Sequence, residues 1–187
     1  MPSLIGLPPW SEVSARRAAH IARVVGLLDE WASAMALPAE EHRRWLSAGW
    51  LHDALRDASH AAQRALAPDA EGPPVLWHGP AAASMAAQHG VLDAGLLSAV
   101  RWHSIGDADW DACGDALFCA DYLEPGRTFD VDARAALRSR FPEAPDQVLR
   151  EVVRARLRYA LREQFALHPR TAALWNRALG PAVAWDA

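Results

Sequence analysis

Apolar residues recur every three or four positions through most of the chain, which is the spacing of one face of an α-helix. The first such stripe follows Ser11, a residue that can cap a helix, and continues to about Met35. Its members are Val13, Ala19 or His20, Val24, Leu27, Leu28 and Trp31. No segment alternates with a period of two for long enough to indicate a β-strand. The pattern therefore predicts an all-α fold.

Capping residues and helix breakers divide the chain into nine predicted helices. Their approximate spans are 11–35, 38 through 53, 59–67, 80–90, 93–103, 111–123, 132–140, 145–165 and 168–179. The inward face of the second helix is expected to carry Trp45, Leu46, Gly49, His52 and Asp53. We found no repeat and no low-complexity linker, so residues 1–187 are expected to form one domain with its core at about 11–179.

Composition narrows the class of protein. The chain has 187 residues, of which 51% are hydrophobic and 22% charged, as in an ordinary globular domain. The net charge of -4 gives no support to nucleic-acid binding. Cys113 and Cys119 lie in a largely apolar stretch and are expected to be core thiols. The chain shows no secretory pattern and no membrane span, so a cytoplasmic location is expected.

Every basic side chain other than histidine is an arginine, since the sequence contains no lysine. Any phosphate contact from a basic side chain must therefore come from a guanidinium, which is always charged and can bind two oxygens at once. Arg17, Arg56 and Arg127 lie close in sequence to the candidate ligands described next. The alternative role for each is a surface salt bridge, and Asp57 and Glu124 are the expected structural partners.

Separated segments supply His and Asp residues in an order that suits a metal site. The residues are His20, the adjacent pair His52 and Asp53, His78, His103 and Asp121. Neutral imidazoles and carboxylates without a thiolate suit iron, manganese, zinc, cobalt or magnesium. Each histidine taken alone is more commonly a capping or solvated residue. A carboxylate within an apolar helix is less easily explained in this way, because its burial is costly without a cation or several donors.

One four-ligand set consists of His20, His52, Asp53 and Asp121, with open positions for water and a phosphate oxygen. Adjacent helical residues point roughly 100° apart, so both members of the doublet can address one ion. His78 and His103 have two alternative roles. Either they hold a second ion with Asp53 bridging, or they contact phosphate oxygens directly, and the spacing does not choose between these.

Six segments together resemble the signatures of the YqeK family of bacterial HD-domain proteins. They are Arg17-x-x-His20, His52-Asp53-Ala54-Leu55-Arg56, Leu76-Trp77-His78-Gly79-Pro80, Trp102-His103-Ser104-x-Gly106, 120–127 and Leu167-His168-Pro169-Arg170-Thr171. The resemblance spans roughly residues 16 to 179. It departs from the family at Arg56, where the family usually has lysine, and in the acidic, bulky loop 107–111.

The resemblance implies a single-domain HD-type helical bundle that hydrolyses diadenosine tetraphosphate symmetrically to two ADP. It implies iron as the ion, held by His20, His52, Asp53 and Asp121; manganese, cobalt, zinc and magnesium are the alternatives. Catalysis would rest on Asp53, His78, His103 and Arg127. Substrate contacts would come from Arg17, Ala54, Leu55, Arg56, His78, His103, Ser104, Arg127, His168, Arg170 and Thr171.

Two other functions compete with this hypothesis. An HD-type nucleoside monophosphate phosphatase would use the same ligands, and a regulator that binds metal and nucleotide without turnover would also fit them. A purely structural helical bundle explains least, because it leaves the carboxylates without a role. The sequence does not decide between a monomer and a homodimer.

Overall fold

The structure, a computed structural model, describes residues 6–180 and consists of helices and connecting loops, with no strand within that range. The helices are α1 Ala15–Ala34, α2 Ala39–Leu51, α3 His60–Leu66, α4 His78–Gln88, α5 Ala94–Trp102, α6 Ala112–Leu123, α7 Val131–Arg140, α8 Pro145–Arg162 and α9 Pro169–Leu179. A 3-10 turn, Pro74–Leu76, precedes α4. The predicted all-α class is confirmed. None of the helices in 6–180 is both long enough and apolar enough to cross a membrane.

Two helix boundaries differ from the prediction. The cap of α1 is Ser14 rather than Ser11, and the Ser14 hydroxyl accepts a hydrogen bond from the backbone N–H of Arg17. Ser11 instead closes a turn by donating to the carbonyl oxygen of Pro8. Helix α2 ends at Leu51, so the His52-Asp53 doublet lies in the turn that follows and not within the helix. Both side chains are thereby placed at the end of a helix, facing the interior.

The core lies where α1, α2, α5, α6 and α8 meet, and the predicted stripe of α1 is buried in it from Val24 to Trp31. The Trp31 ring stacks on Phe141, with 3.8 Å between ring centroids. Cys113 and Cys119 are both buried free thiols, as expected for core residues.

Close helix packing at two glycines brings the candidate ligands together. A Cβ atom at Gly49 of α2 would lie 2.9 Å from side-chain atoms of Leu28 and Val25 in α1. A Cβ atom at Gly79 of α4 would lie 2.7 Å from the carbonyl oxygen of Arg101 in α5. Real Cβ atoms do not approach so closely, so at Gly79, where the neighbour is backbone, only glycine allows the observed separation, whereas at Gly49 a larger residue would require the Leu28 and Val25 side chains to shift. The first contact draws α1 toward the doublet, and the second draws the start of α4 toward the end of α5.

Candidate metal centre

The predicted ligands form two adjoining groups of three, each with its donor atoms within 4.8 Å of one another. The first group is His20, His52 and Asp121. Its His20 Nε2 lies 3.4 Å from His52 Nε2 and 3.2 Å from Asp121 Oδ1. In the second group, Asp53, His78 and His103, the His78 Nε2 lies 3.1 Å from His103 Nε2 and 3.2 Å from Asp53 Oδ1.

The Asp53 carboxylate lies between the two groups and offers one oxygen to each. Its Oδ2 is 3.6 Å from the Nε2 atoms of both His20 and His52. Its Oδ1 is 3.2 Å from His78 Nε2 and 3.6 Å from His103 Nε2. Both groups are therefore connected through one buried side chain, the arrangement expected of a carboxylate that bridges two ions.

The spacing of the donor atoms fits a first-row metal ion. For an ion held at about 2.1 Å, neighbouring ligand atoms lie roughly 3.0 Å apart in octahedral and about 3.4 Å apart in tetrahedral geometry. The donor-atom separations given above, 3.1–3.6 Å, fall near this range. The residues present could therefore hold divalent ions.

The imidazole rings are oriented by partners on their far side. The Nδ1 atoms of His52 and His103 lie 2.8 Å from the carbonyl oxygens of Gly49 and Val100, three residues earlier. Donation to these carbonyls places the proton on Nδ1 and leaves the Nε2 lone pair facing the cluster. His78 Nδ1 lies 2.9 Å from the carbonyl oxygen of Val75 in the same way.

His20 obtains its orientation from a carboxylate instead. Its Nδ1 lies 3.2 Å from Glu124 Oε1. Glu124 also accepts hydrogen bonds from Arg23 Nε at 2.5 Å and from the backbone N–H of Gly126 at 2.7 Å. Burial alone would raise the pKa of Glu124, but these donors outweigh it and lower the pKa. Glu124 was expected to pair only with arginines, so its contact with His20 adds a second role.

Burial sets the charge states of the cluster. It lowers the pKa of His52 to about 4 and also lowers the pKa of His78, which keeps both imidazoles neutral near pH 7. Burial would raise the pKa of Asp53 and Asp121, but the surrounding imidazoles, together with Arg156 at Asp121, outweigh it and lower both pKa values. Neutral imidazole and ionised carboxylate are the forms that bind metal.

Three guanidinium groups contact the two acidic ligands. Arg17 Nη1 lies 2.7 Å from Asp53 Oδ2, and Arg127 Nη2 lies 3.1 Å from Asp121 Oδ1. Arg156 Nη2 lies 3.0 Å from the other oxygen of Asp121. Arg17 and Arg127 were expected near the ligands, whereas Arg156 was not. Arg156 lies 35 positions after Asp121, and no sequence motif relates the two residues.

The remaining predicted site residues differ in where the structure places them. Ser104 Oγ lies 3.1 Å from His103 Nε2, and Arg56 Nη1 donates to the Val75 carbonyl beside His78. The side chains of Ala54 and Leu55 are buried behind the doublet, and their contact with substrate stays a prediction.

The start of α9 contacts the loop after His103. Arg170 forms an ion pair with Asp107, and its guanidinium lies 4.2 Å from the centroid of the Trp102 ring. The Thr171 hydroxyl donates to the carbonyl oxygen of Ile105, and His168 caps α9 by accepting from the N–H of Arg170. Arg170 and Thr171 thus hold the loop that follows Ser104, and the contact of all three residues with substrate stays a prediction.

Comparison with known proteins identifies the fold. A crystal structure from Clostridium acetobutylicum, described as that of a predicted HD superfamily hydrolase involved in NAD metabolism, superposes with a TM-score of 0.77. The match covers 89% of this chain and 90% of that one at 22% sequence identity. The chain therefore has the HD-domain fold, and the predicted HD-type helical bundle is confirmed.

Two curated relatives share part of the sequence, and both are called symmetrical bis(5'-nucleosyl)-tetraphosphatase. The Bacillus subtilis protein is 37% identical over 57 residues, which are 30% of this chain and 31% of that protein. The Staphylococcus aureus protein is 40% identical over 54 residues, 28% of each chain. The matched segments span less than a third of these relatives. They confirm the resemblance noted from the motifs, whereas no family model matches the chain.

Proposed function

We propose that this protein hydrolyses dinucleoside polyphosphates, with diadenosine tetraphosphate cleaved symmetrically to two ADP. The single observation that carries the proposal is the Asp53 carboxylate, which joins two ligand groups while Arg17 and Arg127 reach the same centre. Clustered cations and ligand atoms suit a substrate with several phosphate groups. The names of the two partial relatives support the choice of substrate.

The residues of the site have separate roles in the proposed hydrolysis. When bound, a divalent ion supplies a Lewis acid and lowers the pKa of water. Asp53 orients the attacking water or accepts its proton. The water oxygen attacks one phosphorus of the central anhydride, whose P–O bond breaks, and the bridging oxygen leaves with the second ADP. Arg17 and Arg127 bind the phosphate oxygens on which charge develops.

The roles of His78 and His103 decide how many ions take part. Their Nε2 atoms lie 3.1 Å apart and point at Asp53 Oδ1, which supports a second ion with Asp53 bridging. Direct contact with phosphate is the alternative. We also propose iron as the resident ion at His20, His52, Asp53 and Asp121, on the family resemblance; the donors themselves suit iron, manganese, zinc, cobalt and magnesium alike. Elemental analysis of protein purified without chelator tests the identity of the ion.

Product identification tests the function. Purified protein is incubated with diadenosine tetraphosphate and, separately, with nucleoside monophosphates, and the products are separated by chromatography. We expect ADP as the only nucleotide product of the tetraphosphate. Formation of ATP with AMP would contradict symmetrical cleavage. Release of inorganic phosphate from monophosphates alone would favour the phosphatase, and bound nucleotide without turnover would favour a regulator. An Asp53→Ala preparation controls for contaminating hydrolases.

A further inference from the structure

Arg156 reaches the ligand groups from α8, a helix that contributes no ligand to either group. Its Nη2 lies 3.0 Å from Asp121 Oδ2, and its Nη1 donates to the carbonyl oxygen of Ser104 at 2.8 Å. The guanidinium lies 4.2 Å from the centroid of the Phe118 ring, and 22% of the side chain is exposed. One planar fork therefore holds two acceptors from different parts of the chain, a geometry that lysine cannot reproduce.

The oxygen that Arg156 binds distinguishes it from the other two arginines. Arg17 and Arg127 donate to Asp53 Oδ2 and Asp121 Oδ1, the oxygens that lie 3.6 Å and 3.2 Å from His20 Nε2. An ion in the first group would compete with them for these oxygens. Arg156 binds the opposite oxygen of Asp121, so its contact is compatible with coordination through Oδ1.

The second contact of Arg156 links the two ligand groups. Ser104, whose carbonyl oxygen it binds, follows His103 directly, and the Ser104 hydroxyl lies 3.1 Å from His103 Nε2 and 3.4 Å from His78 Nε2. A shift of Arg156 would therefore release the Asp121 carboxylate and the backbone beside the second group together.

We propose that Arg156 is a positioning residue, which holds Asp121 in the rotation that presents Oδ1 to a metal ion and fixes the Ser104 backbone at the second group. It acts through these two partners and does not contact the substrate. The kinetic part of this inference rests on the proposed function. The metal-binding part does not, because it concerns only the protein and the ion.

A direct measurement of Mn²⁺ binding tests the metal-binding part of the inference separately from the kinetic part. We would titrate the purified full chain, after removal of metal, with Mn²⁺ and measure the free ion by electron paramagnetic resonance. The variants are Arg156→Met, which keeps an apolar chain over Phe118, and Arg156→Lys, which keeps the charge. Arg154→Met is the matched control, because Arg154 lies on the same helix with 42% of its side chain exposed, and its contacts, 3.8 Å to Glu151 and 5.9 Å to the Trp175 ring centroid, lie outside both ligand groups.

Removal of an outer hydrogen-bond partner of a metal ligand costs about 10- to 100-fold in metal affinity or activity. We therefore expect Arg156→Met to bind Mn²⁺ at least about tenfold more weakly than the parent and Arg154→Met to match the parent. Arg156→Lys should fall between them. The melting temperature of metal-free Arg156→Met should match that of Arg154→Met, which separates positioning from a general loss of stability.

Several outcomes would overturn the proposal. One is an Mn²⁺ affinity of Arg156→Met within about twofold of the parent, where a loss of about tenfold is expected. Another is tighter Mn²⁺ binding, which would mean that removal of the guanidinium relieves charge repulsion. A higher KM for diadenosine tetraphosphate with unchanged Mn²⁺ binding would make Arg156 a substrate contact instead. If Arg156→Met does not fold, Arg156→Lys decides: parental Mn²⁺ affinity overturns the proposal and weakened affinity supports it. If the parent hydrolyses no substrate, the proposed function fails while the Mn²⁺ titration still tests Arg156.

Discussion

Each of the four histidines of the centre has a defined partner at Nδ1, on the side of the ring that faces away from the cluster. His52 and His103 bond to a carbonyl oxygen three residues earlier, and His20 bonds to Glu124. Such partners fix both the tautomer and the rotation of a ring, so that Nε2 is ready for coordination before an ion arrives. The short polar contacts of the site are therefore a consequence of helix ends, where backbone carbonyls lack helical partners.

Asp53→Ala should remove most of the metal and reduce turnover by more than a hundredfold, because one substitution takes an oxygen from each ligand group and removes the group that orients water. Bound metal and diadenosine tetraphosphate hydrolysis would be measured on the same preparation. Asp29→Ala is the control, since Asp29 is 58% exposed and pairs only with His42. Metal content and activity within about threefold of the parent would contradict the assignment of the site.

His78→Ala and His103→Ala distinguish two roles for the second group. If these residues hold an ion with Asp53, the metal-to-protein ratio of both variants should fall by about one equivalent. If they contact phosphate, the ratio should stay the same and only kcat or KM should change. Elemental analysis together with steady-state kinetics gives both quantities. Unchanged kinetics and metal content in both variants would exclude the two residues from the site.

Arg127→Lys tests whether a forked guanidinium is needed. Arg127 Nη2 lies 3.0 Å from the Asp121 carbonyl oxygen and 3.1 Å from Asp121 Oδ1, and Nε lies 3.4 Å from Glu124 Oε1. Lysine keeps the charge but loses bidentate binding. We expect kcat/KM to fall by about tenfold, or roughly 1.4 kcal/mol, with metal content and melting temperature near those of the parent. A lower melting temperature with parental kinetics would instead make Arg127 a structural partner of Glu124.

At the scale of the helices, the sequence correctly predicted the helix ends that capping and helix-breaking residues determine. Helix α5 is capped by Asp93, and Glu124 is the residue after α6, both as expected. Two boundaries beside the site were wrong. At the start of α1, Ser11 and Ser14 both suit a helix cap, and the contact of the Ser14 N–H with Asp57 depends on the fold and not on local sequence. At the end of α2, the helix stops at Leu51 although no glycine or proline in the next residues marks that end.

The candidate ligands could be proposed from residue types and their order, and the structure brings all six side chains together. That they bind an ion stays a prediction. The contacts that other side chains make with these residues and their partners could not be predicted in this way. Arg156 and Asp121 meet only because α6 packs on α8, and Arg23 meets Glu124 across 101 positions. Ala54 and Leu55 adjoin the doublet in sequence, and their side chains are buried in the core. Their contact with substrate stays a prediction.

Asp93 caps α5, the helix that ends beside His103, and the stability that this cap contributes should depend on pH. Asp93 accepts from the Leu96 N–H at 2.8 Å and from Arg44 Nε at 2.7 Å. Burial opposes ionisation, but these donors outweigh it and lower the pKa of Asp93 below its ordinary value of 3.8. A lowered pKa stabilises the fold above the unfolded-state pKa, and this stabilisation is lost as the pH falls through the folded-state pKa.

Asn keeps the cap bond but loses the charged contact with Arg44, so Asp93→Asn should lower the free energy of unfolding by about 1 kcal/mol at pH 7. The difference from the parent should shrink as the pH falls below about 4, where the unfolded chain takes up its proton, and should vanish below the lowered pKa of the folded carboxylate. Urea denaturation at pH 7 and at pH 3 measures both quantities, with Asp29→Asn as the exposed control. An equal difference at the two pH values would show that charge at Asp93 does not matter.

At the scale of the whole molecule, the centre connects most of the bundle. The ligands come from α1, α4 and α6 and from the ends of α2 and α5, and Arg156 adds α8. Two ionised carboxylates, Asp53 and Asp121, are buried among these elements with 5% and 13% of their side chains exposed. Burial of like charges is unfavourable, so an ion that neutralises them should stabilise the arrangement of all these helices at once.

Metal should therefore raise the melting temperature of the full chain, and chelation should lower it. An ion that binds only the folded state stabilises it by about 2.7 kcal/mol at a free concentration of 100 Kd. For a chain of this size that corresponds to a shift of about 5–10 °C. Differential scanning calorimetry with saturating Mn²⁺ and with excess EDTA measures the shift. Asp53→Ala should abolish it, whereas Asp29→Ala, which alters an exposed pair with His42, should retain it. A shift of equal size in Asp53→Ala would mean that Mn²⁺ stabilises the fold from somewhere other than the two ligand groups.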